Sequence, residues 1–448
     1  VGTFDSLNIG RSALFAQRRA IDVAGQNIAN VNTEGYSRQR VDLVPDPGPL
    51  VPGIFSRGEG PGAGVRSVDV TRLRDQLLEA RAQREHATGS RLDTLQAAYD
   101  RIELGFGEPS DTGLAAQLGD FWAGWGDVAL HPEDPAVRTQ LLERASTLTG
   151  SIRQLDASLA DLADTALQQL GAVVQDVNAT AARIAELNDS IRAASAAGLS
   201  PNELQDMRDR LAMQLADQVG ATTRTDDDGS LGVYVGGRAL VRSSTVSELS
   251  LVVSGSPPTG TVSWAVDGLA ASAGGQAQGL ADTANVVVPE HRAGLAAVAQ
   301  RLHDDVNALH TGGFDLDGNP GLAFFQIGPA GIEVNPAVAA DPRKLAAAAA
   351  PGTLDGSVAA RLAEQQGPDS EYRQLVVQLG VASQANSRRA EVQASIVAQV
   401  DAARESVSGV NLDEEMTDLL AFQHAYAASA QFVSVVDDLL QTLIGMVG

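Results

Sequence analysis

At 448 residues the chain exceeds what one hydrophobic core supports, so two to four domains are expected. Its net charge of −24, with Lys344 the only lysine, argues against any nucleic-acid partner, because phosphate backbones would repel it. The absence of cysteine excludes disulfides, thiolate metal sites and a cysteine nucleophile, and 4% aromatics beside 44% apolar residues favour long, thin helical packing.

Residues from about Phe4 to Val31 read as a helix, capped by Asp5 or Ser6 and stopped by the cluster Asn30, Asn32, Gly35. Within it Leu7, Leu14, Ile21 and Ile28 recur every seven residues, with Ala24 and Val31 three places after two of them. That spacing gives the narrow seam a coiled-coil partner needs. Pro and Gly then crowd the sequence, and 45–69 reads as an extended connector. Helical periodicity resumes near Val70 and runs to about Leu104. A second piece, Asp111 to Leu130, carries Phe121, Trp122 and Trp125, read as residues that pack helices together. A third extends from Pro135 toward Ala197, with a bend or break expected at Gly150 or Gly171. A shorter helix follows Pro201.

From Thr222 the pattern changes to short strands and tight turns: Thr222–Thr225, LGVYV, RALVR, then Leu249–Ser254 and Thr261–Val266. Helix returns over Pro289–His310, Val358–Gln365 and about Tyr372 to Val407. In the last forty residues Leu412, Met416, Leu419, Tyr426, Ala430, Val433, Leu440, Ile444 and Val447 follow alternating steps of four and three, with Gln423 and Asp437 in the gaps. No run is long enough to span a bilayer, so no membrane insertion is expected. The fold expected is mainly α with a β-rich insert. Terminal helices (1–44 and 408–448) pair as a coiled coil, a long-helix bundle domain takes 70–221 and 289–407, and a small β domain, 222–288, sits at the tip.

Candidate chemistry is sparse. Asp226–Gly229 reads as a hairpin turn before a cation site. Asp315, Asp317 and Asn319 have the spacing of a calcium loop, but Pro320 stands where such a loop needs Gly and Gln326 where it needs Glu. The six histidines are scattered, and no HExxH, GxSxG or GxxxxGK[ST] occurs. No catalytic, cofactor or metal residue is assigned, and no enzyme is expected.

The two ends carry a resemblance. ALFAQRRAIDVAGQNIANVNTEGYSRQRVDL (Ala13–Leu43) is similar to the signature of bacterial flagellar rod, hook and hook-associated proteins, and TEGYSRQ (Thr33–Gln39) is most similar to the hook-associated protein 1 family. SGVNLDEEMTDLLAFQHAYAASAQFVSVVDDLLQTLIG (Ser408–Gly445) resembles that family's other signature, and Asp228–Val241 and Leu302–Phe325 resemble its internal blocks. The likeness is thin over Val246–Asn285, where the β insert looks short. The signature residues are Asn27, Asn30, Asn32, Thr33, Gly35, Tyr36 and Ser37 at one end, and Asn411, Leu412, Glu414, Glu415, Gln423 and Tyr426 at the other.

The resemblance implies a structural subunit of the bacterial flagellum at the hook–filament junction. It implies an extracellular location reached through the flagellar type III apparatus without a cleaved signal. The implied partners are hook protein, the second junction protein, further copies in a helical ring, and an export chaperone on the C-terminal helix. The alternatives are another axial protein, or an exported adhesin displaying the β insert, for which Trp264 is thin support. Assembly is assigned to Leu7, Leu14, Ile21, Ile28 and Val31 on the first helix. On the last it is assigned to Leu412, Met416, Leu419, Tyr426, Val433, Leu439, Leu440, Leu443 and Ile444. Asn411 and Glu414 are placed to form a capping box. Phe432, Val436, Leu439 and Leu443 lie off the seam and are expected to meet neighbouring subunits, which complete a pair of helices that is unfinished alone.

Overall fold

The structure is a computed structural model that describes residues 3–46 and 62–447. In chain order the elements are α1 (Thr3–Ala29), β1 (Gln39–Asp46), β2 (Gly64–Arg72), α2 (Gln76–Phe106), α3 (Leu114–Leu130), α4 (Pro135–Ala196) and α5 (Asn202–Val219). Short strands follow: β3 (Thr222–Thr225), β4 (Leu231–Val235), β5 (Arg238–Arg242), β6 (Thr245–Val246), β7 (Leu249–Ser254) and β8 (Thr259–Trp264). Then come α6 (Gly275–Asp282), a π-helical turn (Thr283–Val287), α7 (Val288–His310), β9 (Phe325–Gly328), β10 (Gly331–Val334) and α8 (Pro336–Ala340). A 3-10 turn (Pro342–Lys344), α9 (Ser357–Ala363), α10 (Gly367–Ser408) and α11 (Leu412–Val447) complete the chain.

Two compact units result. The first contains 1–87, 177–248 and 395–448, and the second 88–176 and 249–394. The β-rich segment expected over 222–288 is therefore divided. The four-stranded sheet β3-β4-β5-β6 belongs to the first unit and the β7–β8 hairpin to the second. Residues 275–288 are helical, because Ala277, Leu280, Ala284, Val287 and Val288 recur at helical spacing and all are buried, which outweighs the surrounding glycines. Of the expected connector 45–69, residues 47–61 lie outside the described residues, and 64–69 form part of β2, antiparallel to β1.

The second unit is organised by α3. Leu114, Leu118, Phe121, Trp125 and Val128 follow helical steps of four and three and are all buried. Phe121 packs at ring-centroid distances of 6.0 Å from Phe324 and 5.6 Å from Phe325, so the aromatics are core rather than groove lining. His310, fully buried beside them, contacts the Leu322 carbonyl through Nδ1 at 2.6 Å and accepts the Ala346 N–H on Nε2 at 2.9 Å. α4 runs unbroken through Gly150 and Gly171. Burial of Leu148, Ile152, Leu170 and Val173 on its face exceeds the roughly 1 kcal/mol that a helical glycine costs. On β8, the Asn285 amide satisfies both backbone groups of Gly260, accepting its N–H at 2.9 Å and donating to its carbonyl at 2.7 Å.

In the first unit α1 and α11 pack antiparallel, with Asn27 beside Glu415 and Gly10 against Val433. The β1–β2 hairpin lies along α1, where Ser12 Oγ accepts the Val65 N–H. Asp226–Gly229 forms the β3–β4 hairpin turn, closed by the Gly229 N–H on the Asp226 carbonyl. In the second unit Asp315 holds an Asx turn, accepting the N–H groups of Asp317 and Asn319.

Candidate assembly site

The most deeply buried positions of α1, which pairs with α11, include small residues. Ala16, Ala20 and Ala24 are each 2% exposed and Gly10 is buried, whereas Leu7, Leu14, Ile21, Ile28 and Val31 are half-buried. The most buried apolar positions of α1, which packs against both α11 and the β1–β2 hairpin, are thus, Ala24 apart, not those of the expected seam. A Cβ on Gly10 would lie 2.5 Å from Val433 Cγ2, so the two helices approach more closely there than larger side chains permit. On α11 the inner face is Glu415, Leu419, Phe422, Ala425, Ser429, Val433, Val436 and Leu440, each buried or half-buried. Leu419, Val433 and Leu440 belong to the expected seam. Leu412, Met416, Gln423, Tyr426 and Ala430 do not, being exposed.

Val436, expected to face neighbours, is 5% exposed inside the pair. Phe432, Val435, Leu439, Leu443, Ile444 and Met446 are instead 44–79% exposed. Val447 lies outside the described side chains. Within residues 357–446 one helical window is long and apolar enough to cross a membrane by length and composition, with almost none of it buried. Leu419–Val436 of α11 holds no Asp, Glu, Lys or Arg, and occasional Gln and His interrupt its apolar runs without offsetting its average.

At the root of the pair lies a buried polar clasp. The Asn27 amide, 1% exposed, donates to the Gln39 carbonyl at 2.9 Å and to Glu415 Oε2 at 3.0 Å. Its Oδ1 accepts the Tyr36 hydroxyl at 2.8 Å and the Gln39 N–H at 3.0 Å. One side chain so fixes the exit of α1, the signature loop, β1 and the start of α11. Arg38 donates to Glu415 at 2.6 Å and Glu414 at 2.7 Å, and its backbone N–H donates to the Ser408 carbonyl. Burial, then the carboxylates of Asp206, Glu415 and Glu203, push the Tyr36 hydroxyl well above its ordinary pKa, keeping it a donor.

The clasp extends outward. Ser37 donates through Oγ and its N–H to Asp206, and Arg72 bridges Asp206 and Asp209 at 2.7 and 2.8 Å. Asn202 donates to Gln39 Oε1 and the Val70 carbonyl. Every strongly buried carboxylate here has a guanidinium or amide partner, which is what makes its burial tolerable.

The structure therefore brings Asn27, Tyr36, Ser37 and Glu415 of the signature together. Asn30 accepts the Thr33 hydroxyl and donates to the Gln26 carbonyl, closing the end of α1, while Asn32 is exposed. Gly35 has φ +76°, and a Cβ there would meet Arg210 Cδ at 2.3 Å. Asn411 accepts the Asp413 N–H as a helix cap, but the expected capping box is not made: Glu414 turns to Arg38, whose charge outcompetes a backbone N–H. Sequence reasoning assigned no role to Arg38, Gln39, Arg72, Asn202, Asp206 or Asp209. For Asn202, Asp206 and Asp209 the one available signal was the dense polar run NELQDMRDR on a helix that turns Asn202 and Asp206 inward. Among the described residues no group of three or more His, Asp or Glu is placed to hold a metal.

The family model of the flagellar hook-associated protein FlgK helical domain matches residues 99–325, just over half of the chain. The chain belongs to the flagellar hook-associated protein FlgK family. Models of the flagella basal body rod protein and of the flagellar basal body rod FlgEFG protein C-terminal region match 7–36 and 404–446, the segments that form the helix pair. Flagellar hook-associated protein 1 of Bacillus subtilis (strain 168) is 26% identical over 509 residues, covering 100% of this chain and 99% of its own. That of Salmonella typhimurium is 30% identical over 333 residues, covering 72% of this chain and 59% of its own. The solved flagellar hook junction protein FlgK from Burkholderia pseudomallei superposes with TM-score 0.50 at 27% identity, over 57% of this chain and 47% of that one. As an FlgK-family member the chain is a structural axial component of the bacterial flagellum, an extracellular appendage, and its relatives are structural flagellar proteins.

Proposed function

We propose that this FlgK-family chain joins hook to filament at the hook–filament junction, exported by the flagellar type III apparatus and assembled through α1 and α11. One observation carries the reading. α11 is anchored at its root by the Arg38–Glu415 clasp, yet shows Phe432, Val435, Leu439, Leu443, Ile444 and Met446 to solvent. A soluble protein keeps such a stripe for a partner. The partners that fit are hook protein on one side, the second junction protein on the other and further copies around the ring, with an export chaperone covering α11 beforehand. The helix pair thus reads as a unit finished by its neighbours.

The domain assignment follows the same reading: 1–44 and 408–448 form the assembly element, and 70–221 and 289–407 supply the long-helix segments. The test adds purified full-length chain to isolated hooks. The expected result is binding at hook ends and subsequent filament growth once the other junction components are supplied. Absence of hook-end binding removes the assignment.

A further inference from the structure

We infer that His86 is a pH-responsive clamp in the first unit: as imidazolium it ties the end of α5 to α2 and α10, and loss of its proton at rising pH frees that end. The ring lies between two carboxylates from different helices. Nδ1 is 3.3 Å from Asp217 Oδ1, in the last turn of α5, and Nε2 is 3.0 Å from Asp401 Oδ2, on α10. Acceptors at both ring nitrogens are satisfied together only when both nitrogens carry hydrogen. A neutral ring would set a lone pair against one carboxylate, whichever tautomer it took. The hydrogen bond to Asp217 raises the ring's pKa above its ordinary 6.5, with burial opposing and the charges of Asp401 and Asp217 adding to the rise.

The surrounding charges decide what is released. From α5 comes Asp217. From α10 come Asp401 and, behind it, Arg404, which donates Nη1 to Asp401 at 3.0 Å and Nε and Nη2 to Glu79 of α2 at 3.2 and 3.0 Å. On α2 itself Glu79 is shared with Arg74, Glu85 stands 3.9 Å from Arg81, and Arg84 is engaged elsewhere. Asp401 therefore keeps a cation when His86 is neutral, and α10 stays on α2 through Arg404. Asp217 does not: among the described residues His86 is its one cationic partner, and a helix C-terminus disfavours negative charge. The folded-state pKa is raised, so the clamp is fully closed below about pH 6.5 and opens as pH rises through the folded value. An extracellular appendage meets whatever pH surrounds the cell, which gives the first unit a response to alkaline surroundings. The clamp stands whether or not the chain joins hook to filament.

The test titrates the histidine rings of the full chain by NMR, His86 being the resonance missing from His86→Gln. Hydrogen-exchange protection factors, which remove the intrinsic pH dependence of exchange, are measured on both sides of about pH 6.5. The His86 midpoint is expected above that value, and Asp217→Asn and Asp401→Asn should each shift it down toward 6.5. Protection in the last turn of α5 should fall in wild-type chain as pH rises through the midpoint. His86→Gln should lack that protection throughout, and His86→Arg, a cation at every pH, should keep it. A midpoint at or below 6.5, no shift in either Asn variant, or equal protection in the Gln and Arg variants would each overturn the clamp. Circular dichroism checks that every variant folds. Should His86→Gln fail to fold, His86→Arg assigns the resonance and the two Asn variants decide.

Discussion

Arg38 donates its Nε to Glu415 at 2.6 Å, joining residues 377 positions apart at a carboxylate only 3% exposed. Removing one partner of such a pair strands a buried charge. Glu415→Ala should destabilise the docking of α11 by about 3 kcal/mol, read as lost hydrogen-exchange protection over the first turns of α11. The double variant R38A/E415A should lose less than the two single variants summed, and strict additivity would show that the pair is not coupled.

The buried small residues of α1 make an unusual ranking of core substitutions. Ala24→Leu, at a 2% exposed position, should cost about 1–3 kcal/mol through overpacking. Ile21→Ala, on the half-buried expected seam, should cost less despite deleting more apolar surface. Thermal unfolding of the two variants checks the order.

Gly35 sits at φ +76°. Gly35→Ala should destabilise the signature loop by about 1–2 kcal/mol, the cost of a left-handed residue with a Cβ. Arg210 is a flexible side chain and can move away, so the penalty is conformational and should persist in an R210A background.

His310 is held neutral, its pKa lowered to about 4 chiefly by burial. The unfolded chain takes up that proton near pH 6.5. The folded-state pKa is depressed, so the histidine's contribution is fully present above pH 6.5 and is lost as pH falls toward 4. Over that window the second unit should lose about 3 kcal/mol, at 1.36 kcal/mol per pH unit. In His310→Gln that acid sensitivity should flatten; chemical denaturation at a series of pH values measures both.

The long helices were legible in the sequence because burial on one face repeats every three or four residues over many turns, as along Leu148, Ile152, Leu155 and Leu159. That the ends pair was legible too, from spacing alone. Which faces touch was not. Large apolar residues such as Leu14 and Ile444 dominate a periodicity, whereas the closest approach is at Gly10, whose value lies in what it allows to approach. The clasp was illegible for another reason: Asn27, Arg38, Asp206 and Glu415 have no common period and meet only through tertiary folding. The DDDG turn was legible because turn chemistry is local, while 275–288 was misread because glycine punctuation masked a buried helical stripe.

The bond from Asn27 to Glu415 spans 388 residues, and that separation sets a clock. At about 5–20 residues per second of synthesis, roughly 20–80 s separate the two ends of that one hydrogen bond. Until then the signature loop has its amide and guanidinium donors but not its acceptor. Any chain stopped short of residue 415 never acquires it, so closure of the clasp reports that synthesis has passed Glu415.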